Sequence, residues 1–86
     1  TVSKKHHDWK TDLQVRLAEL KLPVAEYVSQ ASGPEHDQTF TADALVDGVS
    51  RGTGTGPNKK LAEQEAAHQA VLFLRDHAAE AVRGNA

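Results

Sequence analysis

The chain has no cysteine, which excludes a disulfide framework and a cysteine-based zinc site. It has no long apolar run, so nothing in it reads as a membrane span. Its first residues lack the apolar stretch of a secretory signal. It also lacks an excess of charge: 10 Lys+Arg stand against 12 Asp+Glu, a formal net charge of −2. General polyanion binders draw affinity from many phosphate-neutralising cations. The sum therefore argues mildly against that class and leaves room for a local basic site, to be read by position. With 86 residues there is material for one small domain, and at that size a single core is marginal. A soluble, cytoplasmic protein is the expected class.

What is present is periodic. After a polar, basic stretch at 1–7, expected to be a linker or tail, Trp9, Leu13, Leu17 and Leu20 recur at helical spacing. Asp8 is placed to cap that helix, and Pro23 ends it. The opposite face carries Thr11, Gln14 and Ala18. Ala25 to Ser32, with Tyr27 and Val28, reads as a strand, followed by the turn-rich GPEHDQ. In QTFTADALV the residues Phe40, Ala42, Ala44 and Val46 alternate with Thr39, Thr41 and Asp43, the pattern of a half-buried strand. Asp47-Gly48 is a hairpin signal, and VSRGTG is the returning strand, weakened by its glycines. A last helix is expected from about Asn58 to about Ala81, with a stripe of Ala62, Ala66, Ala70 and Phe73 flanked by Ala67 and Leu74. The order α-β-β-β-α predicts an α+β domain over 8–82: a three-stranded antiparallel meander with two helices on one face. Residues 83–86 read as a disordered tail, and both ends look cut from something longer.

The stretch GTGTGPNKK, Gly52 to Lys60, invites a nucleotide reading and fails it. No glycine in it starts the spacing that a P-loop requires, and Pro57 occupies the third glycine position of a dinucleotide fingerprint. Both motifs also need parallel βαβ surroundings, whereas this strand follows a hairpin. Lys59 and Lys60 stand in the first turn of a helix, against its dipole, where an external anion would favour them. Two solvated lysines explain the same residues equally well.

Four segments occur together in order: DWKTDLQ, the tyrosine of AEYV, GPEHDQTFTADALVDG and GTGTGPNKKLAEQEAA. In that arrangement the chain resembles the double-stranded RNA-binding domain, and more narrowly the version at the C-terminus of bacterial ribonuclease III. The resemblance covers Asp8 to about His77. It implies binding of duplex RNA by shape, across two successive minor grooves and the phosphates between them. It also implies roles. Thr11 and Gln14, with Lys10 beside them, would meet one minor groove. His36, with Pro34 in the same loop, would meet the next, near ribose 2′-hydroxyls. Lys59 and Lys60, supported by Asn58, would take the intervening phosphates. Val15, Ala18, Gln38 and Asn58 stand where that family commonly has glutamate, glutamine, lysine and serine. The first helix thus offers fewer polar contacts.

The resemblance further implies a parent enzyme that cuts double-stranded RNA through a separate, preceding Mg²⁺-binding domain and works as a homodimer. No cofactor is expected for the domain itself. The competing expectations are a non-catalytic adapter or regulator with the same domain, and a protein-interaction domain of this fold. Other features read as background. Trp9, Tyr27 and Phe40 are expected in the core. The pair Glu63 and Glu65 and the histidines His6, His7, His68 and His77 are expected in solvent, since none has a metal-binding or catalytic spacing.

Overall fold

A computed structural model describes residues 8–83. Helix α1 runs Trp9–Glu19, strand β1 Glu26–Ser32, strand β2 Thr39–Val46, strand β3 Val49–Gly56 and helix α2 Lys59–Arg83; a short 3-10 turn, Glu35–Asp37, lies between β1 and β2. The expected tail at 1–7, with His6 and His7, and all of the expected tail at 83–86 except Arg83 lie outside the described residues. Helix α2 itself continues through Arg83. Among the described residues no helix is long and apolar enough to cross a membrane.

Both helix starts follow local chemistry. The Asp8 side chain accepts from the Thr11 N–H, and the Asn58 side chain accepts from the Leu61 N–H at 2.9 Å; each satisfies a donor that a helix start leaves unpaired. Helix α1 stops by a device that needs no glycine. Lys21 takes the left-handed conformation at φ 60°. Its N–H donates to the Ala18 carbonyl, and the Leu22 N–H reaches back to the Leu17 carbonyl at 2.8 Å. This is the paired closure of a Schellman turn, and Leu17 and Leu22 add its usual apolar contact with the core.

The sheet order is β1-β2-β3. Both pairings are antiparallel, with Tyr27 opposite Ala44 and Ala42 opposite Gly54. The hairpin turns on Asp47 and Gly48, both at positive φ, as expected of a tight connection between twisted strands. In β2 the buried residues Ala42, Ala44 and Val46 face the helices as the alternation predicted, with Phe40 half-buried at the end of the row.

The register shifts between Ala44 and Leu45. This bulge puts Arg51 next to Gly52 opposite a single partner and turns its guanidinium to 4.7 Å from the Phe73 ring centre on α2.

The glycines of β3 are the seat of α2. A Cβ at Gly52 would overlap the Ala66 carbonyl and stand 2.6 Å from the Ala70 nitrogen. A Cβ at Gly54 would overlap the Ala66 nitrogen and lie 2.7 Å from the Ala62 carbonyl. Two small-residue rows, glycine on the strand and alanine on the helix, bring backbone to backbone. The core beneath is Leu13, Leu17, Ala42, Ala44, Val46, Ala62, Ala66, Ala67, Ala70, Val71 and Leu74, closed at one side by Ala25.

Phe73 is not in the buried stripe. The row that starts Ala62, Ala66, Ala70 continues to Leu74, and Val71 fills the neighbouring row. Phe73 falls to the side, half-buried, with His77 stacked on it at 5.3 Å. At His77 the α2 backbone leaves helical dihedrals, just past Leu74.

Candidate nucleic-acid interface

The topology collects two of the motif segments at one end of the sheet. Ser32 pairs with Thr39, so the Gly33–Gln38 loop closes that end. Phe40 pairs with Gly56, so β3 delivers the chain to the start of α2 at the same end. Helix α1 lies apart from that end: Lys10 and Trp9 are tied to Glu63 and Gln64 in the second turn of α2, and Gln14 reaches Ala25 just before β1. The opposite end carries the Asp47-Gly48 hairpin and the start of β1.

Each candidate residue has a definite setting. Lys59 and Lys60 are exposed in the first turn of α2, which holds no acidic residue. Neither has an ion-pair partner among the described residues. Their charges add to the partial positive charge of the helix start, and Asn58 fixes the geometry of that turn.

His36 and Pro34 are exposed in the loop between β1 and β2. Gly33 before them sits at φ 93°, and a Cβ there would come within 2.9 Å of the Asp37 carbonyl. The loop's shape is therefore written into a residue that only glycine fills easily.

On α1, Thr11 and Gln14 are exposed, and both are held from inside the domain. The Thr11 hydroxyl donates to Asp8 Oδ2 at 2.7 Å, which leaves its oxygen able to accept. Gln14 Oε1 accepts from the Ala25 N–H at 3.3 Å, which leaves its NH₂ free to donate. An acceptor and a donor thus point outward from one helix face. Val15, 51% exposed, adds apolar surface next to them.

Lys10 is set apart from the other cations. Its ammonium lies 2.7 Å from Glu63 Oε1 and 4.6 Å from the centre of the Tyr27 ring.

Several background expectations need correction. Glu63 is not in solvent: its side chain is 15% exposed and ion-paired with Lys10. His68 stacks on Trp9, with ring centres 3.9 Å apart and planes 9° from parallel. His77 is exposed as expected, with one ring face stacked on Phe73. The flat imidazole gains contact area on an aromatic ring at the edge of the core, which solvent does not offer. Trp9 and Tyr27 flank the core and are half-buried.

The residue most clearly missed is Gln64. Its Oε1 accepts from the Trp9 N–H at 2.7 Å, and its Nε2 donates to Asp8 Oδ1 at 3.1 Å. A glutamine two residues after a run of lysine and leucine carries no local signal of this role. Only the alignment of α1 against α2 creates it.

The electrostatics follow from these bonds. The Asp8 carboxyl is held down at about 2, first by the Thr11 hydroxyl and then by the Gln64 amide and the Thr11 N–H. The Tyr27 phenol is pushed up to about 12, by burial first and then by the Glu63 and Asp8 carboxylates. Among the described residues no group of three or more His, Cys, Asp or Glu is placed to hold a metal ion.

Comparison with known proteins agrees with this geometry. Residues 9–74 match the family described as the double-stranded RNA binding motif. The chain is 61% identical over 74 residues to ribonuclease 3 of Corynebacterium diphtheriae, covering 86% of this chain and 30% of that protein. It is 51% identical over 79 residues to ribonuclease 3 of Streptomyces coelicolor, covering 92% of this chain and 29% of the relative. The chain thus spans less than a third of the curated relatives it matches. Among solved structures, Arabidopsis HYL1, in work concerned with miRNA processing, superposes with a TM-score of 0.71 at 35% identity, over 80% of this chain and 99% of that one. The second such domain of DRB4 superposes at 0.63 and 30% identity, over 79% of this chain and 96% of the other. With motif, strand order and sequence in agreement over most of its length, the chain belongs to the double-stranded RNA binding motif family.

Proposed function

We propose that this domain binds double-stranded RNA by shape and backbone contacts, without sequence preference. The observation that carries the reading is the arrangement of three unlike groups. The His36 loop and the exposed lysines at the start of α2 share one end of the sheet, while the outward donor and acceptor of α1 lie apart from them, on a helix tied to the second turn of α2 and to Ala25 before β1. In A-form RNA the major groove is too deep and narrow for side chains, while the shallow minor groove offers 2′-hydroxyls that both donate and accept. Thr11 and Gln14 supply an acceptor and a donor for one minor groove, and His36 with Pro34 addresses the next. Lys59 and Lys60, with Asn58 shaping their turn, take the phosphates between. Lys10 stands at the margin of this set, its charge shared with Glu63 and Tyr27.

The parent is a ribonuclease III, the assignment supported by the 61% and 51% identities. Cleavage, its Mg²⁺ ions and homodimerisation belong on this reading to the part of such an enzyme outside this chain. A dimeric parent would raise the effective concentration of a domain whose net charge is −2. A cytoplasmic setting follows from the same assignment.

The test is a gel shift with an RNA duplex and the matching DNA duplex at one fixed salt concentration. Clear preference for the RNA is expected. Equal affinity for the two would sink the reading.

A further inference from the structure

Helix α1 and the start of α2 carry two of the three proposed contacts, so the distance between them decides whether both can reach one RNA duplex. The backbone of α1 lies closest to α2 and not to the strands, so that distance is set chiefly by the side chains between the two helices. We propose that Gln64 is the positioning residue that sets it, an inference that rests on the RNA-binding reading above.

Gln64 sits four residues after Lys60, on the same face of α2 one turn further on. From there one amide group holds two successive residues of the other helix: Oε1 takes the Trp9 N–H, and Nε2 gives to Asp8 Oδ1. Asp8 in turn holds Thr11 through both its hydroxyl and its N–H. The path from the phosphate-facing lysines to the minor-groove-facing threonine therefore runs Lys60, Gln64, Asp8, Thr11: one turn of α2, then the Gln64 amide on Asp8, then Asp8 on Thr11. Glu63 and Lys10 tie the same two turns, and the Trp9–His68 stack fixes the rotation of α1. Those two contacts hold the helices together. Gln64 is the one that grips the cap residue and so the start of the reading face.

The inference separates two consequences that a simple loss of fold would merge. Loosening α1 spares the lysines, so the number of phosphates neutralised is unchanged. It impairs the minor-groove contacts, where RNA differs from DNA by its 2′-hydroxyls.

The test uses the whole chain and compares wild type with Gln64→Ala and Gln64→Glu, against RNA and DNA duplexes of about 20 base pairs, just over the span such domains cover. Thermal melting confirms that each variant is folded at the assay temperature. Gln64→Glu keeps the acceptor for Trp9 and puts a carboxylate against Asp8 in place of the donor.

Both single variants are expected to lose roughly tenfold in RNA affinity, the scale of one or two lost hydrogen bonds, with an unchanged salt slope and a smaller RNA-to-DNA ratio. Wild-type affinity in folded variants overturns the inference. So does a loss that leaves the RNA-to-DNA ratio intact. A wild-type protein that does not prefer RNA removes the RNA-binding reading itself, and the inference with it.

Discussion

Asp8 spends one carboxylate on two tasks, capping α1 and receiving the amide of Gln64. Both tasks require the charged form, which is why its carboxyl is held down at about 2 against an ordinary value of 3.8. The sign follows directly: a depressed folded-state value contributes stability above the ordinary carboxylate range and loses it as the pH falls through the folded value. For Asp8 that window runs from about pH 4 down to about 2. Following the Asp8 carboxyl carbon by NMR in an acid titration should give a midpoint near 2. In Gln64→Ala, which removes one of the causes, the midpoint should move upward. A wild-type midpoint at the ordinary value would remove the account of the cap.

At this scale the sequence was readable where the partner is local. Asp8 and Asn58 announce themselves as caps because the donors they satisfy lie three residues on. Glu63 and Gln64 do not, because their partners lie more than fifty residues away and depend on how two helices are rotated about their axes.

Among the elements, β3 is the one whose local and tertiary preferences conflict. Read alone, Gly52, Gly54 and Gly56 weaken a strand, since glycine gives up much backbone freedom and packs no side chain. Read with α2, they are what lets the alanine row come down onto the sheet. The alanine row of the last helix is small enough for a close approach. The surface it approaches could not be named from the strand's own sequence. The bulge at Ala44/Leu45 was also invisible, because no residue type there demands it.

The close approach gives a sharp expectation. Gly54→Ala forces a methyl into the Ala66 backbone, where no side chain can move aside. It should cost at least the roughly 1–3 kcal/mol typical of overpacking. For a domain of this size that is a fall of several degrees or more in melting temperature. Val28→Ala, half-exposed on the outer sheet face, should change it little. A Gly54→Ala protein that melts with the wild type would mean that α2 does not lie on bare backbone.

For the whole molecule, net charge is a poor guide and placement a good one. Lys10 is closely neutralised, with Glu63 at 2.7 Å. Lys59 and Lys60 stay exposed at a helix start free of acidic neighbours in its first turn. Replacing both by alanine should weaken RNA binding and flatten its salt dependence by up to about 2 units, since each phosphate contact contributes roughly 0.9. Lys10→Ala should change that slope far less. An unchanged slope in the double variant would mean that the pair faces only solvent.

The α-β-β-β-α order was legible because each element carries its own period and its own stop signal. The meeting of the His36 loop with the start of α2 was not. It arises from strand register, from Ser32 opposite Thr39 and Phe40 opposite Gly56, which no single motif encodes.

The glycine seat has one more consequence. A helix resting on side chains can settle as they change rotamer; one resting on backbone atoms has no such compliant layer beneath it. Helix α2 is therefore the fixed jaw of a vice, and its lysines keep their place on the sheet. Helix α1, held through the long side chains of Gln64, Glu63 and Lys10, is the sliding jaw with the screw. Whatever adjustment a duplex of slightly different groove width demands is taken up on that side, and the fixed jaw keeps the gauge.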